Sequence, residues 1–336
     1  MFKTVLIGFG KIAAGYANDK SMNKFIKYAT HIQVLKDHPD FNLITVIDKD
    51  ESALKEAKQI WGVNDVVRNI NELENLSEIE VAIIAIPPYK RIDILKKLPN
   101  LKAIILEKPV ASNLKEADEI YEYCRSRNIL VQVNFTRRFD REILNHSKNL
   151  RKDIGHIQFA FGVYGNGLKN NGSHLIDWAR MFLGEVIWLQ AISNGFFIKE
   201  GPINNDKNFS FIMGFKDRRT LIVQALRFEH FREVSIDLWG EKGKLSFTQE
   251  GLISLFYKKA KHRYSENNYE VESDKPISKL MDQSDALYNL YSNLSNAIIN
   301  REKLGSNLQN ALKVMKIINS LEQSFSNNDE KIWINE

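Results

Sequence analysis

The chain has 336 residues, 43% of them hydrophobic and 26% charged; it is longer than one core usually serves and too apolar for long disorder. Its net charge of +5 is the difference between 47 basic and 42 acidic residues mixed along the sequence, so no concentrated basic face marks a nucleic-acid binder. The lone cysteine, Cys124, excludes an internal disulfide and a cysteine-based metal cluster, and no apolar run nears the ~18 residues of a membrane helix.

In chain order, the N-terminus has no signal-peptide layout and enters a strand at once, Thr4–Ile7, a continuously apolar run suited to burial on both faces. The same pattern returns at Leu43–Ile47, Val81–Ile86, Ala103–Leu106 and Ile129–Val133. Helical stretches such as Glu51–Trp61 and Leu114–Arg127 separate these runs, the latter capped near Ser112. Strand and helix in alternation predict an α/β, Rossmann-type doubly wound parallel sheet over residues 1–131.

After Asn134 strands follow one another: 157–164, 187–193, 209–215, 220–228, 234–239 and 244–248, many alternating apolar and polar residues. That pattern predicts a C-terminal α+β domain, 132–336, with a large, mostly antiparallel open sheet. A helix is expected at Ser173–Phe182, and a final helical region, 282–325, splits in two near Gly305, with Trp333 docking the tail. The cluster Lys258-Lys259-Ala260-Lys261-His262-Arg263 reads as a solvated edge.

Gly8-Phe9-Gly10-Lys11-Ile12-Ala13 fits the dinucleotide fingerprint G-x-G-x-x-G/A directly after the first strand, where it should open a helix. The first glycine permits the tight turn, the second lets backbone approach a pyrophosphate, and the small Ala13 allows close helix packing. Asp48, ending the second strand, would accept hydrogen bonds from ribose hydroxyls and repel a 2′-phosphate, so NAD is expected over NADP. Asp48 lies 40 residues after Gly8 rather than about 20, which we assign to an insertion near Tyr16–Tyr28.

These segments, with Ala85-Ile86-Pro87-Pro88, Glu107-Lys108-Pro109, Asn134-Phe135-Thr136-Arg137-Arg138-Phe139, Gly172-Ser173-His174-Leu175-Ile176-Asp177 and Trp239-Gly240, resemble the Gfo/Idh/MocA oxidoreductases. The likeness runs from residue 3 to about 325. It implies catalytic roles for Lys108, His174 and Asp177, and cofactor contacts from Ile86, Pro87, Glu107, Lys108 and Asn134. Oxidising a secondary alcohol sends a hydride to nicotinamide while a base takes the hydroxyl proton. His174 is the natural base, Asp177 orients the substrate or the imidazole, and Lys108 polarises the oxygen; either Lys108 or His174 takes the proton.

Tyr164, Lys169 and Asn170, just before the catalytic helix, are candidates for substrate hydroxyl contacts, and Arg137 for an anionic group. Where the family often has histidine this chain has Lys90-Arg91, with Arg91 expected in solvent or at an anion, and His31, beside the cofactor turn, is expected at the surface or, alternatively, at the substrate. The expected activity is NAD(P)-dependent hydride transfer to or from a hydroxyl-bearing carbon of a sugar, polyol or nucleotide-sugar derivative. NAD-assisted glycoside hydrolysis and a non-catalytic cofactor sensor are the alternatives. The expected setting is cytoplasmic, as a homodimer or homotetramer, with no metal, membrane or nucleic-acid partner.

Overall fold

The apolar runs of the first half form parallel strands because each buries both faces against helices. A computed structural model describes residues 1–197, 203, 205–280 and 283–334. The chain divides into two compact units, Met1–Asp140 with Gln283–Lys313, and Arg141–Asp282 with Val314–Glu336.

In the first unit the strands are β1 (Phe2–Ile7), β2 (Phe41–Ile47), β3 (Asp65–Val67), β4 (Val81–Ile84), β5 (Ala103–Leu106) and β6 (Leu130–Val133). All pair in parallel, in the order β3-β2-β1-β4-β5-β6. The order reverses between β1 and β4, so the loops leaving their carboxyl ends open side by side, the position where such sheets bind ligands. Four helices connect the strands: α1 (His31–Asp37), α2 (Glu51–Gln59), α3 (Arg91–Leu95) and α4 (Leu114–Ser126). The cap of α4 is Asn113, whose side chain accepts from the Glu116 amide, one residue later than expected.

The glycine motif does not open an α-helix, contrary to expectation. It closes one turn, with the Ala14 amide donating to the Gly10 carbonyl, and the chain then leaves through two short 3₁₀ turns. At His31 the helix resumes: the His31 and Ile32 amides donate to the carbonyls of Ile12 and Ala13 at 3.1 and 2.9 Å. The inserted segment thus interrupts a helix whose two pieces still hydrogen-bond as one, which accounts for the long spacing to Asp48.

The second unit holds α5 (Arg141–Ile154), α6 (Ser173–Leu183) and ten strands. These are β7 (Ile157–Gly165), β8 (Val186–Phe197), β9 (Lys207–Phe215), β10 (Thr220–Leu226), β11 (Ser235–Gly240), β12 (Gly243–Thr248), β13 (Ile253–Lys261), β14 (Tyr269–Val271), β15 (Ile277–Leu280) and β16 (Ile332–Trp333). The sheet order is β14-β13-β12-β11-β7-β10-β9-β8-β16, with β15 on β13; β7 and β10 are its one parallel pair among the described residues. Helix α6 buries Leu175, Ile176, Trp178 and Ala179 and packs on β7 and β11. β13 to β15 were not among the expected strands; the basic cluster read as a solvated edge begins within β13. Finally, α7 (Ala286–Asn300) contributes Leu287, Leu290, Tyr291 and Leu294 to the core of the first unit, while α8 (Leu308–Ser326) runs on into the second. The split near Gly305 is as expected.

No described helix is long and apolar enough to cross a membrane, and no described group of three or more His, Cys, Asp or Glu is placed to hold a metal.

Candidate active site

The cofactor turn is held by its neighbours on both sides. The Gly8 amide donates to the Ile47 carbonyl, and Gly8 has φ of +92°. A Cβ there would stand 2.8 Å from the Ala85 carbonyl oxygen, so only glycine allows this approach of β1 and β4. The Asp48 carboxylate accepts the Phe9 amide at 2.6 Å and the Asp50 amide at 2.9 Å, tying the glycine turn to the end of β2. A Cβ on Gly10 would meet nothing within 4 Å, so the backbone lies open to an incoming group. Phe9 and Ala13 turn into the core while Lys11 is exposed and Ile12 half-buried. An open glycine backbone beside a carboxylate that accepts hydrogen bonds is the donor–acceptor set a dinucleotide needs.

A second group forms where β5 ends. Glu107 points inward, and its Oε1 accepts from Asn134 Nδ2 and from His31 Nε2, the latter at 2.9 Å. Burial alone would raise the Glu107 carboxyl, but the hydrogen bonds from His31 and Asn134 and the nearby Lys108 charge hold it below the usual carboxylate range. Asn134 is itself buried, and its Oδ1 has no hydrogen-bond partner among the described residues. Lys108, half-buried, follows directly and precedes a cis bond to Pro109.

Two expectations fail here. His31 is fully buried, its Nδ1 bonded to the Tyr291 hydroxyl at 2.8 Å, rather than lying at the surface. Arg91 is 1% exposed rather than in solvent or at an anion. Its guanidinium donates to the carbonyls of Ile86, Glu107, Pro109 and Val110 at 2.5–3.0 Å, clamping the loops after β4 and β5 together. Burial pushes its pKa down to about 10, so the group stays charged at neutral pH. Contacts therefore link Gly8–Ala13, Asp48, Ile86, Glu107, Lys108 and Asn134 at the carboxyl ends of one sheet. Pro87 is exposed beside Ile86, and Arg137 half-exposed on the 3₁₀ turn Thr136–Phe139.

In the second unit His174 and Asp177 occupy α6 one turn apart, His174 half-buried and Asp177 buried. The helix begins after a π-turn, Gly167–Gly172, fixed by a group not anticipated. The buried Asp206 carboxylate accepts the Lys169 and Asn170 amides, each at 2.9 Å. Burial pushes Asp206 up to about 6 despite those donors. Gly167, at φ of +94°, is required because a Cβ would collide with that carboxylate.

Tyr164 requires correction as a substrate contact. It shares the inward parity of Ala160 and Gly162 on β7, is fully buried, and donates its hydroxyl to the Phe209 carbonyl at 2.7 Å. Strand alternation alone carried that signal. The Lys169 ammonium pairs with Glu322 at 2.8 Å, and the Asn170 side chain donates to the Asn166 carbonyl.

Residues 2–135 match the family model described as "Oxidoreductase family, NAD-binding Rossmann fold", and residues 145–246 match the GFO/IDH/MocA C-terminal domain. An uncharacterised oxidoreductase of Schizosaccharomyces pombe is 29% identical over 140 residues, 35% of this chain and 38% of that protein, so well under half of that relative is matched. A crystal structure of an Agrobacterium radiobacter oxidoreductase with NAD+, L-tartaric acid and magnesium superposes with a TM-score of 0.74 at 17% identity, covering 99% of this chain and 98% of that one. The WlbA dehydrogenase of Bordetella pertussis, solved with NADH and UDP-GlcNAcA, superposes at 0.72 with 15% identity, over 100% and 99% of the chains. At these identities the structures establish the fold: a parallel six-stranded sheet followed by a mixed, mostly antiparallel one. With both domain models matched in order along one sequence, the chain belongs to the Gfo/Idh/MocA family of oxidoreductases, with NAD as its cofactor.

Proposed function

We propose that the protein is a cytoplasmic NAD-dependent dehydrogenase or reductase acting on a hydroxyl-bearing carbon of a sugar, polyol or nucleotide-sugar derivative. The observation that carries this reading is the Glu107-Lys108 turn: a half-buried lysine at the ligand-binding end of a parallel sheet, following a carboxylate held by hydrogen bonds from His31 and Asn134. NAD, when bound, takes up or returns a hydride. Lys108 polarises the reacting oxygen, His174 exchanges the hydroxyl proton, and Asp177 orients the histidine or the substrate. The UDP-GlcNAcA bound by the WlbA dehydrogenase supports the substrate class.

Calorimetry with NADH and NADPH tests the first step. NADH should bind more tightly, and Asp48→Ala should weaken it by roughly 10- to 100-fold, the worth of hydrogen bonds to a charged acceptor. Asp48→Asn keeps an acceptor for the Phe9 amide, so it separates loss of the ribose contact from loosening of the glycine turn. If neither nucleotide binds, the dehydrogenase reading ends. Cofactor that stays bound through purification and supports turnover with no added NAD would instead favour NAD-assisted glycoside hydrolysis.

We also propose a homodimer or homotetramer formed through the second unit's sheet. Phe159, Phe161 and Ile222 are 39–42% exposed on one face, with Phe159 stacked on Trp239 at 5.8 Å. A contiguous apolar patch of this kind marks an interaction surface. Light scattering at micromolar concentration should give two or four times 38.9 kDa; a monomer mass would refute the proposal.

A further inference from the structure

The turn Gly167–Gly172 runs without a break into α6, and the first amides of any helix have no partner inside it. The residue placed to cap them, Asn166, sits in the left-handed region and makes no side-chain cap bond. Asp206, just before β9, takes that place from far along the chain: Oδ1 accepts the Lys169 amide and Oδ2 the Asn170 amide, each at 2.9 Å. The Ser173 hydroxyl donates to the Asn170 carbonyl at 2.7 Å, so the capped turn is bonded to the first residue of α6, next to His174. Gly167 completes the fit, since a Cβ there would collide with Asp206 Oδ2.

We propose that Asp206 is a positioning residue for the hydride transfer: by capping Lys169 and Asn170 it sets how the turn enters α6, and so where His174 stands. Stability alone does not explain a carboxylate here. Burial outweighs its two donors and pushes Asp206 up to about 6, against about 4 for an unfolded aspartate. Between those values the folded protein binds more protons than the unfolded chain, so this group's contribution to stability falls as pH rises from about 4 to about 6 and stays low above that. At neutral pH the ionised form is therefore kept at a cost to the fold. What it alone offers is two acceptor oxygens for two consecutive amides; a neutral acid or an asparagine turns an O–H or NH₂ toward one of them. The charged and titratable groups around it are Lys169, whose ammonium pairs with Glu322 on α8, Tyr164 on β7, and Lys207, which opens β9 and lies over the Phe325 ring. Lys169 lowers and Glu322 raises the Asp206 carboxyl, which leaves burial to decide the direction.

This role rests on the reading of His174 as a group that acts on substrate, and two of its measurements need no substrate. In the full-length protein with NADH, the ¹⁵N amide signals of Lys169 and Asn170 should move together as Asp206 titrates between pH 3.5 and 8. At pH 8, Asp206→Asn should displace at least one of them together with the His174 ring signal. Urea unfolding at pH 7 should find Asp206→Asn as stable as wild type or more so, because the buried charge is gone. Its kcat for hydride transfer at pH 8, on the sugar that wild type turns over, should nonetheless fall about 10- to 100-fold, the cost of misplacing a reacting group by about 1 Å. Amide signals with no inflection, a His174 ring signal identical in the two proteins, or a loss of stability in Asp206→Asn would overturn the proposal. So would full turnover in Asp206→Asn where His174→Ala has lost it. If the His174 ring moves but His174→Ala keeps full hydride transfer, the catalytic reading of His174 fails and the positioning stands.

Discussion

Replacing Lys108 with methionine is expected to lower kcat/KM for hydride transfer by about 100- to 10,000-fold, the range for loss of a positioned acid–base group. Methionine keeps most of the length and the apolar stem of lysine, so the turn between Glu107 and Pro109 should survive and the loss should fall on kcat. His174→Ala should cost a similar factor. If the two side chains serve the same proton, the double variant should lose little more than the worse single one, because groups that act as a unit are strongly non-additive. Multiplication of the two factors would mean separate roles, with Lys108 polarising the oxygen and His174 carrying the proton. Full activity in Lys108→Met would remove the residue from the chemistry. The readout is the change in NADH absorbance on whichever sugar, polyol or nucleotide sugar the wild type turns over.

Arg91→Leu should produce the largest stability loss. The guanidinium is buried and serves four backbone carbonyls, three of them within the segment Glu107–Val110 that carries Lys108. Leucine matches the volume poorly and leaves those acceptors unpaired, each costing about 1–3 kcal/mol where water cannot reach. Partial hydration of the less buried ones brings the expected total to about 3–5 kcal/mol, or roughly 10 °C in Tm for a domain of this size. Arg91→Lys should recover only part of it, since one ammonium cannot reach carbonyls on both loops. A loss below about 1 kcal/mol by thermal or urea unfolding would show that the clamp is dispensable. Turnover should fall as well, because the turn that aims Lys108 loses its anchor.

The parallel strands were legible in the sequence because burial on both faces leaves an unbroken apolar run, as Val81–Ile84 and Ala103–Leu106 show. Gly8 and Asp48 were legible for a related reason: a turn that only glycine permits and an acid at a strand end are local features with fixed offsets. The insertion before α1 was visible as excess spacing, although not as an interruption of the helix itself.

Arg91, His31 and Tyr164 were not legible as what they are. A cation after a proline turn, a histidine at the end of a polar insertion and a tyrosine shortly before the helix of His174 all read as solvent or ligand contacts. Their partners lie far away along the chain: Glu107 is 76 residues from His31, Tyr291 is 260 away, and Phe209 is 45 from Tyr164. The sequence by itself determined which segments are strands, where the dinucleotide turn lies and which family motifs are present, because hydrophobic period and glycine geometry act over a few residues. Tertiary structure alone decided which polar side chains are buried and what they bond, because a buried donor takes whatever acceptor the folded chain delivers, and local sequence does not encode which one that is.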